Sequence, residues 1–152
     1  MLALIACSPQ ACAHNAPVET ATADPRAQTG LREVPLTIRS KNGVHRFTVE
    51  VAATEQQQET GMMFRTSVAG DRGMIFPYDP PQEVAFWMKN TLIPLDMVFI
   101  AADGSIARVA TAKPLDETPV PSTAPIVAVL EIAGGRAGEL GIRAGDKVNW
   151  PH

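Results

Sequence analysis

From Val34 onward the chain alternates apolar and polar residues in short runs separated by turn residues. Val34 to Ser40 and Val44 to Ala52 are two such runs on either side of Lys41-Asn42-Gly43. Asn-Gly is a strong hairpin signal, because a type I′ turn needs positive φ at both central positions. Thr54-Glu55-Gln56-Gln57 matches a helix capping box and Gly61 a helix stop, which predicts a helix of about two turns. Gly73 to Tyr78 and Glu83 to Lys89 read as strands around the turn Asp79-Pro80-Pro81. Leu95 to Ala101 and Ser105 to Ala110 flank Asp103-Gly104, a second tight turn. Ile126 to Ile132 is apolar almost without a break, the pattern of a strand buried on both faces. A short helix over Gly135 to Leu140, stopped by Gly141, and a last strand over Lys147 to Trp150 complete the prediction.

About eight short strands at close spacing predict an all-β fold, an antiparallel barrel-like or jelly-roll sandwich with one or two short helices. No helical segment is long enough to cross over a sheet, so a βαβ rhythm is not expected. Phe86 to Ile100, FWMKNTLIPLDMVFI, concentrates polar groups in an apolar setting. If Val84–Lys89 and Asp96–Ala101 pair as an antiparallel hairpin, Lys89 meets Asp96, Met88 meets Met97 and Phe86 meets Phe99. Trp87 then underlies a rim of Lys89, Asn90, Thr91 and Asp96. Apolar lining with a few convergent polar groups is the usual anatomy of a ligand site. A rim ion pair with turn hydrogen bonds would look the same in sequence.

Several motifs extend the pattern: Gly61-Met62-Met63-Phe64-Arg65, Gly73-Met74-Ile75-Phe76, FWMKNT-IPLD, Val129-Leu130-Glu131 with Gly134, and Gly145-Asp146. In this order they resemble the elements of the domain-of-unknown-function family numbered 192, small proteins of bacteria and archaea. The resemblance covers about Val34 to Val148 and implies a barrel-like or jelly-roll fold, with no activity to carry over. The chain departs from it at Thr118 to Ser122, where members often carry a Tyr-Ser pair.

Length allows one domain, and 152 residues with a net charge of −3 form a folding composition. The basic residues are scattered, which argues against nucleic-acid partners, and no apolar run is long enough to span a bilayer. Leu4-Ile5-Ala6-Cys7 looks like a lipobox, with Cys7 the candidate for lipidation. Ala11-Cys12-Ala13 offers an alternative signal-peptidase cut. Both point to an exported protein, periplasmic or anchored in the membrane facing the periplasm. Residues 1–30 are expected to be the remnant of an export signal followed by a mobile Ala/Thr/Pro-rich linker, and residues 31–152 a single all-β domain.

The folded part lacks cysteine, so it has neither disulfide framework nor thiol nucleophile. The histidines at 14, 45 and 152 have no metal-ligand spacing. Met62, Met63, Met74, Met88 and Met97 occupy apolar positions, where Met commonly fills gaps, so neither a metal nor another cofactor is expected. Glu59, Asp96, Asp103, Asp116, Glu117 and Glu131 are the carboxylates from which an acid–base pair would come. The expected function is that of a binding module for a small envelope ligand, sugar or peptide-like, at Trp87, Lys89, Asn90, Thr91 and Asp96 with Arg65 nearby. A hydrolase using Asp96 with a second acid, and a structural accessory domain of the cell envelope, are the alternatives.

Overall fold

The computed structural model describes residues 23–152. The expectations for Cys7 and for a cut after Ala13 lie outside the described residues. The chain forms β1 (Glu33–Ser40), β2 (Gly43–Val51), α1 (Glu55–Thr60), β3 (Arg72–Gln82), β4 (Ala85–Phe86), β5 (Leu95–Ile100), β6 (Ile106–Ala112), β7 (Val120–Pro121), β8 (Ile126–Ala133), α2 (Arg136–Leu140) and β9 (Lys147–Asn149). Seven strands make one curled half-barrel sheet in the order β6-β5-β8-β3-β2-β1-β9, and β4 pairs with β7 as a separate ribbon. The two edges of the large sheet meet at one corner. There Ser105 bridges Lys147, the Ile106 amide donates to Asp146 and the Val148 amide to Gly104, each at 2.8 Å.

The alternation of side chains across the sheet builds two cores from one layer of strands. The inner face gathers Leu36, Ile38, Val49, Ile75, Val98, Leu130 and Trp150. The outer face carries Met74, Phe76, Met97, Phe99 and Val129 and is covered by loop residues Met62 and Met88. β8, the uninterrupted apolar run, lies between β5 and β3 with both faces covered.

Local signals explain much of this. Thr54 accepts from the Gln57 amide while the Gln57 side chain accepts from the Thr54 amide, the capping box that starts α1. Asp103 accepts from the Ser105 amide and hydroxyl in the β5–β6 turn, where Gly104 supplies a φ of 76°. Asp146 accepts from the Arg143 amide ahead of β9.

Five expectations are corrected. The β1–β2 turn is Lys41-Asn42, with Ser40 opposite Gly43, and positive φ falls only on Gly43, so it is not a type I′ turn on Asn-Gly. Asp79-Pro80-Pro81 does not turn the chain; it lies within β3, whose register with β8 shifts between Pro77 and Gln82. β2 and β3 are parallel, joined by α1 and the loop to Asp71, a crossover for which one short helix suffices because that loop supplies the rest. Val84–Lys89 does not pair with β5. Both edges of β5 are taken, by β6 and β8, so the segment pairs only through Ala85 and Phe86, with β7. The linker expected through Gly30 ends sooner: Gln28 donates to the Gln57 and Gly61 carbonyls, and Arg26 sits 4.2 Å from the Phe64 ring centroid.

Gly73 in β3 and Gly134 just after β8 sit where neighbouring chain approaches closely. A Cβ on Gly73 would lie 2.5 Å from the Glu131 carbonyl oxygen, and one on Gly134 2.7 Å from Pro94 Cβ. By contrast, Gly138 in α2 faces open space. We expect Gly73→Ala to destabilise the fold by about 2–3 kcal/mol through overpacking. Gly138→Ala should be neutral or stabilise it by up to about 1 kcal/mol. Chemical denaturation of the two variants measures both signs.

Candidate functional site

Asp96 stands on β5 between Leu95 and Met97, which face outward, so its side chain points inward with Val98 and Ile100. It is 1 % exposed. One carboxylate oxygen accepts from the Thr111 hydroxyl at 2.6 Å and the Gly135 amide at 3.0 Å, the other from the Ala137 amide at 2.8 Å. Asp96 thus fastens the start of α2 to the sheet and is buried among its own partners. The expected Lys89–Asp96 pair does not form. Lys89 is exposed on the outer loop, its ammonium 5.1 Å from the centre of the Trp87 ring. A hydrolase built on Asp96 loses its acid.

Of the other rim residues, Trp87 and Thr91 line one cavity with a different acid, Glu131, while Lys89 and Asn90 stay exposed outside its lining. Three segments are tied by backbone hydrogen bonds. Phe64 donates to the Asn90 carbonyl at 2.8 Å, Leu115 to that of Thr91 at 3.0 Å, and Met88 to that of Asp116 at 3.0 Å. Each carries a non-glycine residue in the left-handed region: Phe64 at φ 63°, Asn90 at 53° and Leu115 at 60°. For Phe and Leu this is costly backbone, of the kind that collects at functional sites. Trp87 is 49 % exposed, so it is a wall of the site and not the core residue beneath it. Thr91 is buried and donates to the Lys89 carbonyl at 3.2 Å. The Asn90 amide group lies 3.9 Å from the Met63 sulfur.

Between these loops and the sheet lies a narrow cavity of about 40 Å³, lined by Trp87, Thr91, Met62, Met63 and Phe86 and reaching Glu131. That is room for a water or one small protruding group. Glu131 stands on the outer face of β8, directly opposite Met74 on one side and Met97 on the other. Burial pushes its pKa up to about 8, against a smaller lowering by the Arg65 guanidinium. At neutral pH Glu131 is therefore largely a protonated acid that can donate as well as accept. Nearby Tyr78 is pushed up to about 12, by burial first and by the charge of Glu131 second.

Arg65 acts on this acid only through its charge and makes no ion pair with it. Its guanidinium donates to Glu50 at 2.5 Å and to the Gln28 carbonyl at 3.0 Å, and Nε has no partner among the described residues. Glu50 is two strands from Glu131 across β3 and is occupied by that ion pair. Glu50 does not line the cavity; the second carboxyl that does is Glu59 of α1. Glu131 was one of six acids of equal standing in the sequence. The signal that singles it out is a lone acid inside the apolar run of β8.

The fold and site define a small all-β domain with a loop-covered outer face and a neutral acid beneath the cover. The chain belongs to the family DUF192, described as an uncharacterized ACR, whose model matches residues 36–150. It is similar to a protein of unknown function from Novosphingobium aromaticivorans DSM 12444, at 46 % identity and a TM-score of 0.79, over 85 % of this chain and 94 % of that one. It is also similar to a candidate transcription regulator from Sinorhizobium meliloti 1021, at 36 % identity and a TM-score of 0.78, over 82 % and 98 % of the two chains. No curated protein matches it.

Two outcomes test the assignments. Asp96→Ala should cost about 3 kcal/mol by stranding the donors it serves, read as a lowered denaturation midpoint. For Glu131 the folded pKa lies above the ordinary 4.5, so the native state keeps a proton that the unfolded chain releases. Its contribution is whole below about 4.5 and is lost as pH rises through about 8. Glu131→Gln removes that loss, so urea denaturation at pH 5 and pH 9 should show a flatter profile than the wild type. Parallel profiles would mean a solvated carboxylate.

Proposed function

We propose that this domain is an exported binding module that takes a small envelope ligand, sugar or peptide-like, at the loop rim above Glu131. The observation that carries the reading is Trp87, held half-exposed at the mouth of a cavity that ends on a buried acid. An indole face offers an apolar platform for a sugar ring or a peptide plane. The cavity receives one small group from it, and protonated Glu131 with Thr91 supplies hydrogen bonds. Lys89, over the indole, leaves the rim open to a ligand with carbonyl or anionic groups. Strain in all three rim segments fits a surface shaped for recognition. A purely structural role gives no reason to keep Trp87 half in water.

Attachment of such a module to a membrane would rest on Cys7, and no helix among the described residues is long and apolar enough to cross one. Trp87→Ala should lower stability by less than about 1 kcal/mol, well short of the about 3–5 kcal/mol of a buried Trp. It should also abolish binding of soluble cell-wall saccharide–peptide fragments, followed by calorimetric titration. Binding that survives Trp87→Ala and Glu131→Gln together would sink the proposal.

A further inference from the structure

The two ends of the half-barrel are closed differently. At one end α2 acts as a plug: Ala137 and Ile142 join the inner core, Asp96 holds the amides at the helix start, and Asn42 of the β1–β2 turn donates to Leu140. At the other end, where β2, β3 and β5 finish and β8 begins, no helix among the described residues contributes to the inner core. Trp150 joins the inner core there. What remains there is a groove of about 380 Å³, mostly apolar, lined by Val51, Pro77, Tyr78, Val127 and Trp150, with Ala102 at its lip. The His152 ring, 4.5 Å from that of Trp150, forms an outer wall and continues into an adjoining hollow beside Val148. This volume falls within the roughly 300–1,000 Å³ of small-ligand pockets, which favour the mouths of β-barrels.

The charge on its lip narrows the ligand. Arg32, just before β1, and Asp79, in the irregular part of β3, both line the groove and both are exposed. Neither makes an ion pair among the described residues. The lip therefore offers one guanidinium and one carboxylate above an apolar floor.

We propose that the open end of the half-barrel is a second ligand site, for a small apolar zwitterion such as a short apolar peptide with free ends. Its carboxylate pairs with Arg32, its ammonium with Asp79, and its side chains lie on Trp150 and Val127. The site is separate from the rim at Trp87 and stands whether or not that rim binds anything.

The test titrates the full chain with the dipeptide Leu-Phe, its N-acetyl derivative and its C-terminal amide, by calorimetry. Leu-Phe should bind, and each capped form should bind about fivefold more weakly, the contribution of one partly exposed ion pair. Arg32→Gln should erase the penalty for the amide alone, and Asp79→Asn the penalty for acetylation alone. Ala102→Phe, at an exposed turn position, should narrow the groove and weaken all three peptides without unfolding the domain. Trp87→Ala should leave Leu-Phe binding unchanged. The proposal is overturned if Leu-Phe does not bind, if all three forms bind equally, or if binding follows Trp87→Ala and ignores Ala102→Phe.

Discussion

Everything outside the inner core depends on the outer face of the central strands being covered by loops. β5, β8 and β3 present Met97, Val129, Glu131, Met74 and Phe76 on that face, a surface too apolar to leave in water. The cover is not a second sheet. It is the segment after α1, the Trp87–Ile93 loop and the loop from Lys113 to the β4–β7 ribbon, pinned to one another through main-chain hydrogen bonds. Loops can close such a face only if their own amides and carbonyls find partners. Three non-glycine residues with positive φ are what that demands here. The small cavity left under the cover, and the acid at its end, follow from the same arrangement.

Glu131 is the cost of that design and the reason to read it as a site. A buried carboxyl without a tight ion pair disfavours its own charge, and Arg65 relieves only part of this because Glu50 holds its guanidinium. A Leu at this position would pack among the methionines with no such penalty. The acid is kept where an indole, a threonine hydroxyl and strained backbone converge, which suits recognition of a polar group better than it suits stability.

Much of the fold was legible along the chain. The capping box at Thr54, the stop at Gly61, the Asp103-Gly104 turn and the doubly buried β8 are local signals whose physics is complete within a few residues. What sequence could not supply was partner choice. The alternation that sends Met97 and Phe99 outward, together with Phe86 and Met88, was readable, but which strand lies beside β5 was not. That depends on β8, which arrives more than two dozen residues later. The same gap misplaced Asp96: its strand face was evident, while its partners on α2 lie about forty residues on, at Gly135 and Ala137. Trp87 was read as sitting beneath the rim because a paired strand would have turned it inward. Glu131 was hidden among other acids, although its setting in IVAVLEIA already implied burial.

The account stands on Glu131 being an uncharged acid under its loops at neutral pH. Carbon NMR of the side-chain carboxyl, assigned by comparison with Glu131→Gln and followed from pH 4 to pH 10, reads this directly. The account predicts a titration midpoint near 8 for this one carboxyl. A midpoint near the ordinary 4.5 would contradict it, and would make the cavity an incidental gap in a covered sheet.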